Sequence, residues 1–167
     1  MKAAQPSAST FQPGRHPGAL DELSHDPYHE RDKLPDPAVC SDCGAVYHQG
    51  RWQWITPPVH ALQAKCAACR RIHEKLPAGY VSIEGEFSRE HRDEVISLAR
   101  NLEAREKEAH PLQRIMTIEE QGDQLTITTT GIHLAQYIGE SLQDAYKGEL
   151  EFQYNKEKYL LRVHWRR

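Results

Sequence analysis

Four cysteines are the residues of this sequence best suited to chemistry. They form two C-x2-C pairs, Cys40/Cys43 and Cys66/Cys69, with 22 residues between the pairs. A C-x2-C turn aims two sulfurs at one point, and two such pairs across a hairpin supply the tetrahedral set that zinc prefers. A shell of four cysteines leaves no position for water, so the spacing predicts a structural Zn2+ ion without metal catalysis.

Other interpretations of these residues have less support. A redox role needs one C-x-x-C at the start of a helix in a βαβ unit, which the sequence does not predict here, and chance spacing rarely yields two pairs. Histidines could join or replace a cysteine ligand, since His48, His60 and His73 lie near the pairs, and His25 and His29 have i,i+4 spacing. Because the cysteines already complete a shell, we interpret the histidines as surface or hydrogen-bonding residues.

The sequence pattern around the cysteines predicts a zinc ribbon over residues 40–79, whose turns and strands must position the four sulfurs. Gly44 follows the first pair and suits a tight turn. Residues 45–55 contain two short β-prone runs around Gln49-Gly50, which predicts a hairpin. Residues 59–65, directly before the second pair, fit a helical turn.

Residues 80–167 predict a separate α+β module. The expected order of elements is β-α-β-β-α-β-β. A strand over 80–87 comes first, and a helix follows that Ser88 caps and that runs to about residue 109. A hairpin over 114–130, a helix over 131–147 ended by Gly148, and two final strands joined by 155–158 complete the module. Two helices on one face of a mainly antiparallel sheet would bury the apolar stripes. The predicted fold class is α+β, a zinc ribbon followed by a small antiparallel sheet with two helices.

Residues 1–39 predict a flexible arm. They hold six of the ten prolines and few aliphatic side chains, so they cannot offset the entropy of ordering. The sequence shows no long apolar segment and no secretory core, so we expect a cytosolic protein with reduced thiols. Reduced thiols favour a metal over two disulfides.

Basic and aromatic residues interleave around the cysteines in a mixture that suits RNA. Cationic groups bind phosphates, and rings stack on unpaired bases. The candidate RNA-binding residues are Arg51, Trp52, Lys65, Arg70 and Arg71 in the ribbon, with Lys156 and Lys158 near the final hairpin. The alternative is that one tryptophan packs under the hairpin and the charges form a solvated rim. Alternation places Trp52 and Trp54 on the same face, so in this alternative both can belong to the core.

The cysteine motifs also carry a resemblance to known proteins. Cys40-Ser-Asp-Cys43-Gly, Cys66-Ala-Ala-Cys69-Arg-Arg-Ile-His and the nearby Pro-Ala-Gly-Tyr80 resemble a short bacterial zinc-ribbon family. That family in turn resembles the N-terminal part of Nmd-three, the export adaptor of the large ribosomal subunit. Residues 125–130, 150–154 and 159–165 are similar to the rRNA-binding, ribosomal-protein-like domain of the adaptor. This ribbon has four cysteines where the adaptor has more, and we expect no counterpart of the adaptor's later domain and export signals. The resemblance therefore implies ribosome association and not export.

These observations favour a non-enzymatic zinc-ribbon protein that binds RNA, with ribosomal RNA on the large subunit as the expected partner and a role in stress, dormancy or quality control. The rival hypothesis is a zinc-stabilised protein–protein adaptor without direct RNA contact. A net charge of −3 weakens the picture of a simple polycation. The sequence lacks a phosphate-binding glycine loop, a nucleophile elbow and a metalloprotease helix, so we expect neither catalysis nor a small-molecule substrate. A membrane partner is not expected either.

Overall fold

The computed structural model describes residues 34–167, so most of the predicted arm lies outside the described residues. A small sheet comes first, in the strand order β3-β2-β1-β4, and a helix follows it. The bounds are β1 Ala38–Cys40, β2 Val46–His48, β3 Arg51–Gln53, β4 Leu62–Ala64 and α1 Ala67–Glu74. The predicted hairpin over 45–55 is therefore β2 and β3, which pair antiparallel.

The segment before the second cysteine pair is a strand, so the prediction of a helical turn over 59–65 is wrong. β4 pairs in parallel with β1, with Ala38 opposite Leu62 and Cys40 opposite Ala64. The backbone N–H of Leu62 donates to the carbonyl of Pro37 at 3.1 Å. Because parallel strands end at the same edge of a sheet, this pairing brings the two cysteine turns side by side.

A five-stranded mixed sheet with helices forms the rest of the described chain. Its elements are β5 Gly79–Glu84, α2 Glu86–Glu90, α3 Arg92–Ala109, β6 Ile115–Gln121, β7 Gln124–Thr129, α4 Ile132–Tyr146, β8 Glu149–Asn155 and β9 Leu160–Arg166. The strand order is β6-β7-β5-β9-β8. The central pair β5–β9 is parallel and the other neighbouring pairs are antiparallel. The α+β class is confirmed.

The core of this module lies between one face of the sheet and α3 and α4. Alternate strand residues, such as Val81 and Ile83 on β5 and Val163 on β9, are fully buried. The buried side of α4 includes Ile138 and Leu142, as the helical periodicity predicts. The buried strand residues and the apolar stripe of α4 therefore face each other across a single apolar layer.

The junction between β5 and the helices differs from its prediction. Ser88 does not cap a single helix; its hydroxyl donates to the carbonyl of Gly85 at 2.9 Å, and the side chain is buried inside α2. Gly85 ends the strand with a φ of 102°, a region that glycine adopts without strain. The helical segment is also interrupted at His91, which separates α2 from α3.

Gly139 lets α4 lie directly on the sheet. A Cβ at this position would be 2.5 Å from Cγ1 of Val163 and 3.1 Å from Cδ1 of Leu150. We expect Gly139→Ala to lower the free energy of unfolding by about 1–2 kcal/mol, because overpacking outweighs the gain of about 1 kcal/mol in helix propensity. Urea unfolding followed by far-ultraviolet circular dichroism measures this change. Asp144→Ala, at an exposed position of the same helix, is the control, and a Gly139→Ala protein more stable than the parent would contradict the close packing.

Candidate metal centre

The four cysteines converge from two turns at one end of the small sheet. Cys40 is the last residue of β1, and Cys43 lies in the turn that follows it. That turn is closed by Gly44 N–H donating to the carbonyl of Cys40 at 3.0 Å, with Gly44 at a φ of 79°. Cys66 is the N-cap of α1, and Cys69 is in its first turn. Local turn geometry thus sets the spacing within each pair, and the β1–β4 pairing sets the distance between pairs.

The positions of the sulfurs fit a single tetrahedral ion. The four Sγ atoms all lie within 4.8 Å of one another, and those of Cys43 and Cys66 are 3.8 Å apart. A zinc–sulfur bond of about 2.3 Å requires sulfurs about 3.8 Å apart in a regular tetrahedron. Cys40, Cys66 and Cys69 are buried and Cys43 is half-buried, so the described side chains form a nearly closed shell.

Backbone N–H groups favour the ionised form of Cys40. Burial raises the pKa of this thiol, but N–H groups of Cys66, Cys43 and Asp42 more than offset it and lower the pKa to about 6. The amide of Cys66 donates to Cys40 Sγ at 3.3 Å. Burial and the neighbouring sulfurs instead raise the pKa of Cys66. Cys66 therefore favours its neutral thiol form unless a cation at the centre of the four sulfurs offsets their charge, as a bound metal ion would.

A buried arginine from the second module contacts this cluster. The guanidinium of Arg114 donates from Nη2 to Cys43 Sγ at 3.0 Å and from Nη1 to Cys69 Sγ at 3.3 Å. Its side chain is only 7% exposed. Four thiolates around a divalent ion carry a net charge of −2, so Arg114 removes part of a charge that would otherwise be buried. Burial lowers the pKa of Arg114, but its hydrogen bonds to Cys69 and Cys43 more than offset this effect and raise the pKa above its ordinary value.

The segment between α3 and β6 holds Arg114 in place. Its Nε donates to the carbonyl of Pro111 at 2.8 Å, and its backbone N–H donates to Thr130 Oγ1 at 2.9 Å. The hydroxyl of Thr130 donates to the carbonyl of Leu112 at 2.6 Å. Leu112 also packs against the cysteine cluster. The guanidinium is therefore oriented by contacts of its own segment as well as by the sulfurs, as in the outer shells of metal sites.

Two further contacts join the ribbon to the module. Trp54 Nε1 donates to the carbonyl of Lys107 at 2.7 Å, which fixes the hairpin against the end of α3. The guanidinium carbon of Arg71 lies 5.6 Å from the centroid of the Tyr159 ring, and Nη1 donates to the carbonyl of Leu76 at 3.1 Å. With Arg114, these contacts dock the ribbon on the module.

The predicted RNA-binding residues fall into different environments. Arg71 is 3% exposed and holds α1 against the module, so we remove it from the candidate set. Lys65 Nζ lies 3.2 Å from a carboxylate oxygen of Asp42. Lys156 and Lys158 are exposed in the β8–β9 turn, directly before Tyr159, whose ring the guanidinium of Arg71 contacts; Arg70 is half-buried on α1.

Arg51 and Trp52 line a cleft between the ribbon and the module. The cleft has a volume of about 430 Å3, and its lining residues are Arg51, Trp52, Glu106, His110, Pro111, Leu112, Gln113, His133 and Tyr137. Trp52 is half-buried against the cysteine cluster and Trp54 is exposed, so the two rings do not share one buried face of the hairpin. Trp54 is therefore not core, whereas Trp52 packs against the cluster, as the alternative with one packed tryptophan expects.

The second cysteine pair lies at a helix start, which the sequence did not predict. Sγ of Cys66 accepts from the backbone N–H of Cys69 at 3.4 Å. The local geometry of a redox C-x-x-C is thus present, but the first pair lies against it and completes a set of four. Within residues 34–167 this is the one group of three or more histidine, cysteine and acidic side chains placed to hold a metal. His25 and His29 lie outside the described residues.

Arg114 is the residue that sequence reasoning missed. It is 71 positions from Cys43 and 45 positions from Cys69. The weak signal available was electrostatic: a buried four-thiolate centre needs a nearby cation. Nothing local distinguishes Arg114 from other arginines of the chain.

Comparisons with known proteins add no relative. A scan against protein-family models finds no matching family, and searches of curated proteins and of solved structures find no match either. Among the helices of residues 34–167, none combines the length and apolar character needed to cross a membrane.

Proposed function

We propose that this protein is a non-enzymatic, zinc-stabilised RNA-binding protein whose partner is ribosomal RNA of the large subunit. The four-cysteine cluster is a candidate metal-binding site on geometry alone. Beyond this site, we propose that the ion is zinc, that the ligand is RNA and that the partner is the ribosome. One observation carries the RNA step: the exposed guanidinium of Arg51 and the ring of Trp52 line one cleft with Tyr137.

Zinc is the ion that best fits the donor set. Four thiolates at tetrahedral spacing select Zn2+ or iron over hard cations such as Mg2+ or Ca2+. Four protein ligands fill the shell, which is typical of structural sites and leaves no position for an activated water. Arg114 and the backbone N–H groups around the sulfurs suit a stable anionic centre.

Exposed cations on two parts of the surface support RNA binding. Arg51 borders the cleft, while Lys156 and Lys158 are exposed in the β8–β9 turn. Phosphate contacts from such side chains give affinity, and aromatic rings accept unpaired bases. The net charge of −3 means that binding depends on this local arrangement and not on an overall positive charge.

Salt dependence tests RNA binding. We expect the logarithm of the association constant for a single-stranded RNA to fall with the logarithm of salt concentration at a slope of about −2, because three exposed cations, Arg51, Lys156 and Lys158, release about 0.7 counterions each. Fluorescence anisotropy with labelled RNA measures the slope. Replacing Lys156 and Lys158 together by alanine should reduce its magnitude by about 1.4. A flat salt response would contradict phosphate recognition.

Ribosome association needs a separate experiment. Tagged protein should migrate with large-subunit fractions in a gradient of cell lysate, during growth or starvation, and should leave them after ribonuclease treatment. Exclusion from ribosomal fractions under both conditions would refute the ribosomal part of the proposal.

A protein–protein adaptor is the second candidate function, and an exposed apolar group on the ribbon favours it. Val59 is 95% exposed, and Ile55 and Leu62 are exposed nearby in the chain. Such residues suit a protein partner. Capture of a partner that resists both ribonuclease and high salt, with no affinity for isolated RNA, would favour this function over RNA binding.

A further inference from the structure

The cleft between the ribbon and the module has the size and composition of a ligand site. A volume of about 430 Å3 is within the range of small-molecule sites. The ribbon contributes Arg51 and Trp52; the end of α3, the segment after it and α4 contribute the remaining walls. The cleft therefore exists only while the ribbon is docked.

Its aromatic walls come from both parts of the protein. Trp52 is held by Tyr47, with ring centroids 5.5 Å apart, and by packing against the cysteine cluster. Tyr137 on α4 is 42% exposed, although it is a large ring beside a well-packed helix face. Two rings that line the same cleft, one from each part of the protein, offer stacking surfaces for one flat heterocycle.

The polar residues that line the cleft carry both signs of charge. Arg51 is an exposed guanidinium that suits a phosphate, and His110 is an exposed neighbour at the end of α3. Glu106 adds a carboxylate that can accept from an exocyclic amine or a ribose hydroxyl. Gln113 is already engaged, since its Oε1 accepts from the backbone N–H of Leu134 at 3.1 Å.

We infer that this cleft binds one unstacked nucleotide, with its base between Trp52 and Tyr137 and its phosphate at Arg51. An apolar ligand would leave Arg51 and Glu106 unused, and a small inorganic anion would not need the rings. A duplex presents its bases stacked and paired, so the cleft selects single-stranded RNA. This inference rests on the proposed RNA binding and assigns it a specific site.

Binding measurements on the metal-loaded full chain test this assignment. The probes are 5′-mononucleotides and a labelled single-stranded RNA of about eight nucleotides. Tyr137→Ala should weaken both affinities roughly tenfold, because it removes one stacking surface. Tyr80→Ala is the matched control: Tyr80 lies on the opposite face of the sheet, where the guanidinium carbon of Arg162 is 4.9 Å from its ring centroid. It should leave both affinities unchanged.

Each other outcome overturns a different statement. RNA affinity that survives Tyr137→Ala, or that falls only in Tyr80→Ala, would exclude the cleft while RNA binding stands. Mononucleotide binding that is lost in Tyr137→Ala, with no affinity for RNA, would support the cleft as a free-nucleotide site and refute the proposed function. Binding of neither probe by the parent protein would refute both. Unchanged urea unfolding of Tyr137→Ala would show that a lost affinity is not a lost fold.

Discussion

Replacing Cys66 by serine is expected to remove the metal and unfold the ribbon while the α+β module stays folded. Cys66 is fully buried at the centre of the cluster, and structural zinc sites contribute about 10–16 kcal/mol of apparent binding energy in small zinc-dependent folds. The strands of this ribbon are each three residues long, and the cluster contains few apolar side chains besides the cysteines. The apolar burial of the ribbon cannot replace that contribution.

The three tryptophans allow this result to be read residue by residue. Trp52 and Trp54 belong to the ribbon, whereas Trp165 is buried in the module and donates from Nε1 to the carbonyl of Lys147 at 2.9 Å. In a 15N-correlated NMR spectrum, two indole signals should move to random-coil positions in Cys66→Ser, and the signal of Trp165 should remain. Chelation of the parent protein should give the same pattern.

A histidine variant provides the control for ligand identity. His73→Ala changes a residue of α1 that is exposed and outside the cluster, so all three indole signals should stay in place. Three unchanged signals in Cys66→Ser would show that the ribbon folds without the metal. Three collapsed signals would show that the module depends on the ribbon, contrary to its separate core.

Replacing Arg114 by methionine should weaken metal binding by about 10- to 100-fold and release the ribbon from the module. Outer-shell partners of metal ligands typically have effects of this size. The substitution keeps much of the side-chain length but removes the donors to Cys43 and Cys69. The negative charge of the metal-bound thiolates would then stay buried without a neighbouring positive charge. Competition with a chromophoric chelator measures the metal affinity. The indole NMR signal of Trp54, which donates a hydrogen bond to the carbonyl of Lys107, reports docking of the ribbon on the module.

Two further variants separate charge from geometry. Arg114→Lys keeps the positive charge but lacks the planar set of N–H donors of a guanidinium, so its metal affinity should lie between those of Arg114→Met and the parent. Arg105→Met removes an exposed arginine of α3 and should change neither affinity nor docking. An Arg114→Met protein with parental affinity and an unmoved Trp54 signal would show that this arginine does not support the centre.

The cysteine cluster could be predicted because its information is local. Each C-x2-C turn is specified by adjacent residues, and period-two and helical patterns identified the strands and helices of the module. The β1–β4 pairing was missed because parallel partners lie far apart in sequence and a three-residue strand has too few positions to show a period. Ser88 was misassigned because a cap and a buried helical serine share the same local sequence.

Arginine roles show where sequence reasoning stops. Arg70 and Arg71 are neighbours with the same chemistry, yet the direction of α1 buries Arg71 against Tyr159. Arg114 joins a cluster that lies in another part of the chain. Both outcomes follow from tertiary packing, which no local pattern encodes. The resemblance to the Nmd-three adaptor family remains a prediction.

Metal content and thiol state together test the central claim that the four sulfurs bind one ion. Protein purified without affinity metals should contain one zinc per chain by elemental mass spectrometry, and all four cysteines should titrate as free thiols after unfolding with a chelator. Stoichiometric iron would correct the identity of the ion. No stoichiometric metal, or two disulfides in place of free thiols, would contradict the account.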